Sequence, residues 1–318
     1  MLKLKKSVTK SITKTVVEDP GVRKLAHEHP RFFGFLKKRT DPDARFGLNL
    51  TLGVIIAGFF LVLFLGIVQD LIGNEALVLA DLRIVNLLQI FRTPSFNKAM
   101  LFITYLGKGQ LILVGVVAVG AILASRRRWY HAIALLTSVA VGEFLVLLLK
   151  NLIHRPRPPL VNVLAPEQTY SFPSGHSFVA IAFYGLIAYF VFTSVKSRLA
   201  KALAVIAALS IILAVGFSRI YLGAHFPSDV LGGYAAGLAW LTAIITALET
   251  RMRDNAHRNP QPYVSKNAAV IIGLLAFTIW GGFVLYYYET HPLKAPSTTV
   301  EKPAIITPRD IPGRLFLR

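Results

Sequence analysis

Seven long apolar runs, separated by short polar clusters, organise this chain. A helix needs about 20 apolar residues to cross a bilayer. That length picks out residues 48–68, 100–123, 131–152, 177–195, 200–218, 228–248 and 268–288. The pattern predicts an all-α, polytopic membrane helix bundle. Residues 80–91, ADLRIVNLLQIF, place apolar side chains at helical spacing with Asp81, Arg83, Asn86 and Gln89 off that stripe, which predicts a helix lying in the membrane interface. Gly107-Lys108-Gly109 interrupts the second run and predicts a kink, or a start later than Met100, with Lys108 snorkelling towards water. Gly233 and Gly237 form a small-xxx-small pair that predicts close helix packing. Trp129, Tyr130, Trp240 and the Tyr286-Tyr287-Tyr288 run lie near predicted helix ends and read as interfacial belts. Glu143 stands seven residues before Lys150, on the same helix face and about 10 Å deeper at 1.5 Å per residue. Its expected role is a hydrogen bond to a neighbouring helix, with proton movement as the alternative.

With 318 residues, 54% hydrophobic and 16% charged, the chain falls outside ordinary soluble domains. It has no cysteine, which removes disulfide frameworks and Cys-ligated zinc or iron–sulfur sites. The net charge of +19 does not mark a nucleic-acid surface, because the Lys and Arg residues fall in the tails and between apolar runs. Contact with anionic membrane lipids and the positive-inside tendency explain that distribution. If every run spans, the basic N-terminus, Arg126-Arg127-Arg128, Lys196 with Arg198 and Lys201, and Arg251-Arg253-Arg258 share one face, the cytoplasmic one. Residues 1–47 are then a basic cytoplasmic arm, with the first run too late for a signal peptide. Residues 249–267 are a cytoplasmic loop, 268–288 a seventh span and 289–318 an outer tail whose basic residues run against the trend.

Three polar clusters emerge together on the opposite, outer face: Lys150-(six residues)-Arg157-Pro158, Pro173-Ser174-Gly175-His176, and Ser218-Arg219-(five residues)-His225-(three residues)-Asp229. Ionisable groups this near a bilayer core are costly and point to function. Arg157 and Arg219 offer planar forks suited to phosphate, and Lys150 a compact charge. Ser174 and Gly175 precede the fourth run, where helix N-terminal N–H groups and a hydroxyl can receive the same anion. Gly175 also allows close backbone approach. Asp229 follows His225 by four residues, across a helix start at Pro227. Its carboxylate can hold one ring nitrogen as N–H and leave the other free to attack phosphorus, with His176 as the acid for the leaving oxygen. One carboxylate within the clusters is too few for a magnesium cage, so neither a metal nor another cofactor is expected. Singly, each cluster reads as an ordinary turn or a snorkelling residue, and Arg155-Pro156-Arg157-Pro158-Pro159 as a stiff loop touching headgroups. Their order and common membrane level carry the functional reading.

The three clusters resemble, without substitution, the signature of the type 2 phosphatidic acid phosphatase superfamily in its membrane-bound branch: Lys150, Arg157, Pro158, Pro173, Ser174, Gly175, His176, Ser218, Arg219, His225 and Asp229 all match. The resemblance implies a six-helix phosphatase core over residues 48–248, leaving one extra C-terminal span. It implies His225 as nucleophile, His176 as acid, Asp229 as orienting group, and Lys150, Arg157 and Arg219 as phosphate ligands. The expected activity is metal-independent hydrolysis of a lipid phosphate or diphosphate through a phosphohistidine, at the outer face of a bacterial inner or plasma membrane. An undecaprenyl diphosphate carrier is the favoured substrate, with phosphatidate and phosphatidylglycerol phosphate open, and the oligomeric state is not given by the sequence. A phosphotransferase passing the same group to a second lipid is one alternative. A catalytically silent lipid-binding scaffold is another, against which both histidines argue. The apolar spans exclude a soluble haloperoxidase with a similar anion site, and a transporter would carry its ionisable groups nearer mid-membrane.

Overall fold

The computed structural model describes residues 20–40, 47–73, 75–158 and 167–256, and the isolated positions Gly282, Tyr286 and Glu289. Two short helices, α1 (Pro20–Glu28) and α2 (Pro30–Thr40), lie in the basic arm. They are followed by α3 (Leu48–Gly73), α4 (Glu75–Ile90), α5 (Pro94–Tyr105), α6 (Gly109–Ser125), α7 (Trp129–Ile153), α8 (Gly175–Ser194), α9 (Arg198–Tyr221) and α10 (Pro227–Ala256). Among the described residues, α3, α7, α8, α9 and α10 are each long and apolar enough to cross a membrane, and α5 with α6 makes a sixth span bent by 47°. The predicted helix bundle is therefore found. The expected seventh span over 268–288 and the tail after it fall outside the described residues, save the three isolated positions.

The bend sits where Gly107-Lys108-Gly109 predicts it. The span begins at Pro94, earlier than expected, because Ser95, Asn97 and Lys98 dilute the apolar signal while local capping starts the helix. Thr93 Oγ1 accepts a hydrogen bond from the Phe96 N–H at 3.3 Å, and Pro94 takes a first position that needs no donor. At the bend bare backbone meets its neighbours: a Cβ on Gly107 would stand 2.6 Å from Val215 Cγ1 and 3.1 Å from His176 Cδ2. The Lys108 ammonium lies 5.1 Å from the centroid of the Tyr105 ring.

Two expectations need correction. In α4, Asp81 and Gln89 are buried beside Leu82 and Val85, whereas Ile84, Leu87 and Ile90 are exposed. The helix turns its carboxylate inward because buried partners wait there, and its apolar side chains outward, as a lipid environment allows. Trp240 is no belt residue either. Its indole N–H donates to the Ser138 carbonyl at 2.8 Å, tying α10 to α7 inside the bundle. Glu143 reaches the start of α6, with Oε1 3.9 Å from where a Cβ on Gly109 would stand.

Helix α8 forms the centre. Phe178 to Phe183 and Leu186 are all buried, and residues Ile181–Gly185 widen into a π-helical stretch. Ser138 Oγ donates to the Ala182 carbonyl at 2.9 Å within it. Between helices surrounded by lipid, association rests on close packing more than on hydrophobic exclusion. Gly233 and Gly237 supply that packing as predicted: a Cβ on Gly233 would stand 2.6 Å from the Ser174 carbonyl oxygen, and one on Gly237 3.1 Å from that of Phe178. Backbone cannot yield as a flexible side chain can. Gly233→Ala is therefore expected to lower stability by about 1–3 kcal/mol through overpacking. Gly66→Ala, where a Cβ meets nothing within 4 Å, is expected to be neutral or slightly stabilising. Thermal unfolding of both variants in detergent reads the difference.

Candidate functional site

Four helix ends meet at one end of the bundle: the last turns of α7 and α9 and the first turns of α8 and α10. The Arg126–Arg128 turn lies at the other end, where Arg128 Nη1 donates to Ser194 Oγ at 3.0 Å and the Arg251 guanidinium lies 5.6 Å from the Tyr130 ring centroid. The separation of basic loops from the polar clusters, expected from the alternation of spans, is thus present in the fold.

Local chemistry shapes these ends. After Tyr221 the chain reverses through Gly223, whose φ of 73° would strain a side-chain-bearing residue. The reversal lets the N–H groups of Ala224 and His225 donate to the Arg219 carbonyl at 3.0 and 3.2 Å. Arg92 satisfies the Tyr221 carbonyl from outside, at 2.8 Å through Nη2. Pro227 then opens α10, and Asp229 Oδ2 reaches back to the Phe226 N–H at 2.8 Å, the acidic half of a capping box. One tight corner therefore carries Arg219, His225 and Asp229.

Beneath the corner lies a buried ion network that the sequence reading did not contain. Arg155 donates through Nη1 to Asp229 Oδ1 at 2.5 Å and to Ser228 Oγ at 2.7 Å, and through Nη2 to Asp81 Oδ2 at 2.7 Å. Its guanidinium also lies 4.4 Å from the Phe226 ring centroid. Asp81 Oδ1 accepts the Ser228 N–H at 2.9 Å, and its Oδ2 the Ser228 hydroxyl. Ser171 Oγ donates to Asp229 Oδ2. All six side chains are buried. Burial alone disfavours the Arg155 charge, but Asp229 and Asp81 overcome it and hold its pKa above the ordinary value. Arg155 is therefore a buried bridge between α4 and α10.

The network leaves His225 with one orientation. Its Nδ1 lies 3.4 Å from Asp229 Oδ2, and its Nε2 lies 3.1 Å from Arg157 Nη1. A guanidinium donates and never accepts. Nε2 is therefore the lone-pair nitrogen and Nδ1 carries the proton, the tautomer that the hydrogen-bond network assigns. Burial, the largest effect, pulls the His225 pKa down to about 3; the Asp229 hydrogen bond opposes it and the Arg157 charge adds to it. The ring is neutral at physiological pH.

Arg157 and Arg219 converge in front of Nε2. Arg157 is fixed by the carbonyls of Thr169 at 2.6 Å and Ala224 at 2.7 Å, and Arg219 Nη1 by Thr104 Oγ1 at 2.8 Å. Their remaining Nη2 groups both donate to Glu167, the Arg157 bond at 2.8 Å. Glu167 Oε1 is 3.6 Å from His176 Nδ1, and Oε2 is 3.9 Å from His225 Nε2. Burial works against its charge, yet Arg219, His176, His225 and Arg157 together hold its carboxyl far below the usual carboxylate range. Arg219 Nε is buried without a hydrogen-bond partner among the described residues.

His176, His225, Asp229, Arg157 and Arg219 thus come together as predicted. Lys150 sits at the rim of the group, its Nζ donating to the Tyr170 carbonyl at 2.5 Å and to Thr169 Oγ1 at 3.3 Å. Ser174 is turned away from an anion role: its Oγ accepts from Ser177 N–H at 3.5 Å and from the Ser177 hydroxyl at 3.0 Å, capping α8, and its N–H donates to the Asp229 carbonyl at 3.0 Å. A Cβ on Gly175 would meet only Val146 Cγ1 at 3.5 Å, so packing within the protein does not demand glycine there. Sequence reasoning missed Asp81, Arg155, Ser171, Thr104 and Glu167. The available signals were weak: an acid inside an apolar stretch at Asp81, and a second arginine two positions before Arg157.

A family model described as the PAP2 superfamily matches residues 131–253. Phosphatidylglycerophosphatase B of Bacillus subtilis is 37% identical over 183 residues, 56% of this chain and 88% of that protein. An undecaprenyl-diphosphatase of Sulfolobus acidocaldarius is 28% identical over 197 residues, 60% of this chain and 88% of its own length. Among solved structures, a transmembrane PAP2-type phosphatidylglycerolphosphate phosphatase from Bacillus subtilis superposes with a TM-score of 0.58 at 33% identity. It covers 61% of this chain and 96% of that one.

Two outcomes follow from the buried groups. Arg155→Met strands Asp81 and Asp229 without their cation and is expected to cost about 3–5 kcal/mol. Adding Asp81→Asn to it is expected to recover part of that loss, as chemical or thermal unfolding in detergent would show. Between pH 6.5 and about 3 the unfolded chain binds a proton at His225 that the folded protein refuses. His225 therefore contributes stability that is lost as pH falls through this window. The stability of wild type relative to His225→Gln is expected to decline on acidification, measured as the difference in unfolding midpoints.

Proposed function

This chain belongs to the PAP2 superfamily of phosphatases, and we propose that it cleaves a terminal phosphate from a membrane lipid through a covalent phosphohistidine on His225. The observation that carries the proposal is the His225 tautomer, with a lone pair on Nε2 facing the fixed guanidinium of Arg157 and a proton on Nδ1 facing Asp229. That is the arrangement an activated histidine nucleophile requires.

In the first step the Nε2 lone pair forms a bond to phosphorus as the bond from phosphorus to the leaving oxygen breaks. His176, protonated once the phosphate dianion lies beside it, gives that proton to the leaving oxygen. Arg157, Arg219 and Lys150 counter the charge spread over the equatorial oxygens, and Arg157 Nη1, which now points at Nε2, moves its hydrogen bond to one of them. Asp229, anchored by Arg155, Ser171 and the Phe226 N–H, balances the positive charge that develops on the ring. In the second step His176 takes a proton from water, the hydroxide oxygen bonds to phosphorus, and the N–P electron pair returns to Nε2. Inorganic phosphate leaves and both histidines regain their starting protonation. No step calls for a metal.

The substrate class follows from surroundings and relatives. The site lies at the end of apolar spans, where a lipid headgroup presents its phosphate. The relatives described above are named as a phosphatidylglycerophosphatase and an undecaprenyl-diphosphatase, names that refer to lipids ending in a phosphate. The basic loops at the opposite end of the bundle support an active site on the outer face of the membrane.

Purified protein is expected to release phosphate from a panel of lipid phosphates and diphosphates in the presence of EDTA, with the preferred lipid read from the panel. His225→Ala and His176→Ala are each expected to lower the rate by about a thousandfold or more. His176→Ala should still trap label from a 32P-lipid with a good leaving group, as an acid-labile, base-stable adduct that is absent from His225→Ala. Metal-dependent release, or labelling without His225, would exclude this mechanism.

A further inference from the structure

A carboxylate stands in the anion subsite of this protein. Glu167 draws on Nη2 of Arg157 at 2.8 Å and Nη2 of Arg219, and lies 3.6 Å from His176 Nδ1 and 3.9 Å from His225 Nε2. Phosphorus must come within roughly 3–3.5 Å of Nε2 before attack, and its oxygens need the same guanidinium N–H groups. The carboxylate and a phosphoryl group therefore claim one place. The arginines cannot follow Glu167 out of it, since Thr104, Thr169 and Ala224 hold them from behind. Glu167 can leave: its side chain keeps 28% exposure, against 2% for Arg219 and 0% for His225.

We propose that Glu167 is an internal competitor for the anion subsite, strong enough to keep weakly held, singly charged phosphodiesters from filling it and displaced by a dianionic terminal phosphate. The proposal rests on the phosphatase reading of the site. A tethered group competes at an effective concentration in the millimolar range or above, so every external anion meets the same penalty. A phosphodiester brings one negative charge and gains nothing over the carboxylate it replaces. A phosphate monoester or terminal diphosphate brings a second charge to two guanidinium groups and Lys150, at short range in a poorly screened pocket. The bilayer surrounds the site with phosphodiester headgroups in great excess over any phosphomonoester, so keeping the subsite clear of them needs a competing element that lowers their occupancy. Glu167 supplies it. Its carboxyl, held ionised by the neighbouring cations, keeps that role into the acid range.

The test uses the full chain in detergent, hydrolysing a lipid phosphate, with inorganic phosphate and dimethyl phosphate as competing ligands at mildly alkaline pH, where the first is a dianion and the second a monoanion. Wild type, Glu167→Gln and Glu167→Ala are compared, each first checked for an unchanged unfolding midpoint. Wild type is expected to bind inorganic phosphate at least about tenfold more tightly than dimethyl phosphate. In both variants the two inhibition constants and the KM are expected to fall together by about tenfold, leaving the preference for inorganic phosphate as it is in wild type. Unchanged inhibition constants in both variants overturn the proposal. So does a fall in kcat with KM and both inhibition constants unmoved, which would assign Glu167 to orienting His176. If wild type hydrolyses no lipid phosphate and binds neither ligand, the phosphatase reading itself fails and takes the proposal with it.

Discussion

The guanidinium of Arg155, caught between Asp81 and Asp229, is the contact on which the site depends. Two carboxylates buried this deeply would repel each other and resist ionisation without a cation between them. With it, Asp229 is held by Arg155, Ser171 and the Phe226 N–H at once, and α4 is locked to the start of α10. The orientation of His225 follows, because the only proton its ring can offer Asp229 is on Nδ1. A cluster that looks like an assembly of catalytic side chains is equally a packing device that tells four helices where to end.

The bundle answers a second constraint, that of bringing charge to one level of an apolar structure. Helices in lipid gain little from hiding apolar surface from one another. Here they meet instead through glycine, as where Gly233 accepts the Ser174 backbone, and through single hydrogen bonds such as that from Trp240 to Ser138. Close contact at these points fixes the height of the loop that carries His176 relative to the corner that carries His225. The bend at Gly107 completes the enclosure by laying bare backbone beside His176.

Much of this was legible in the sequence because its signals are local. Apolar run length gives the spans, Gly107-Lys108-Gly109 the bend, Gly233 and Gly237 the tight crossing, and three short clusters the residues that converge. What escaped depends on partners far apart in the chain. Asp81 looked like the polar face of an interfacial helix, since nothing near it in sequence announces Arg155, 74 residues away in the hydrogen bond that joins them. Arg155 was hidden beside Arg157 by its resemblance to a loop cation. Ser174, expected to meet an anion, is occupied in capping the helix it begins. Trp240 has the composition of a belt residue and the hydrogen bond of a core one.

Glu167 changes the electrical character of the pocket. The site brings together four basic side chains, Lys150, Arg155, Arg157 and Arg219, and three acidic ones, Asp81, Glu167 and Asp229. With the histidines neutral, the resting sum is a single positive charge. Were the carboxylate to withdraw as a dianionic headgroup enters and His176 takes up the proton it later gives away, the sum would again be a single positive charge. The interior therefore passes between two nearly neutral conditions and never has to carry a large uncompensated charge, which a medium of low polarisability tolerates poorly. A binding site for a doubly charged group can in this way sit among helices surrounded by hydrocarbon.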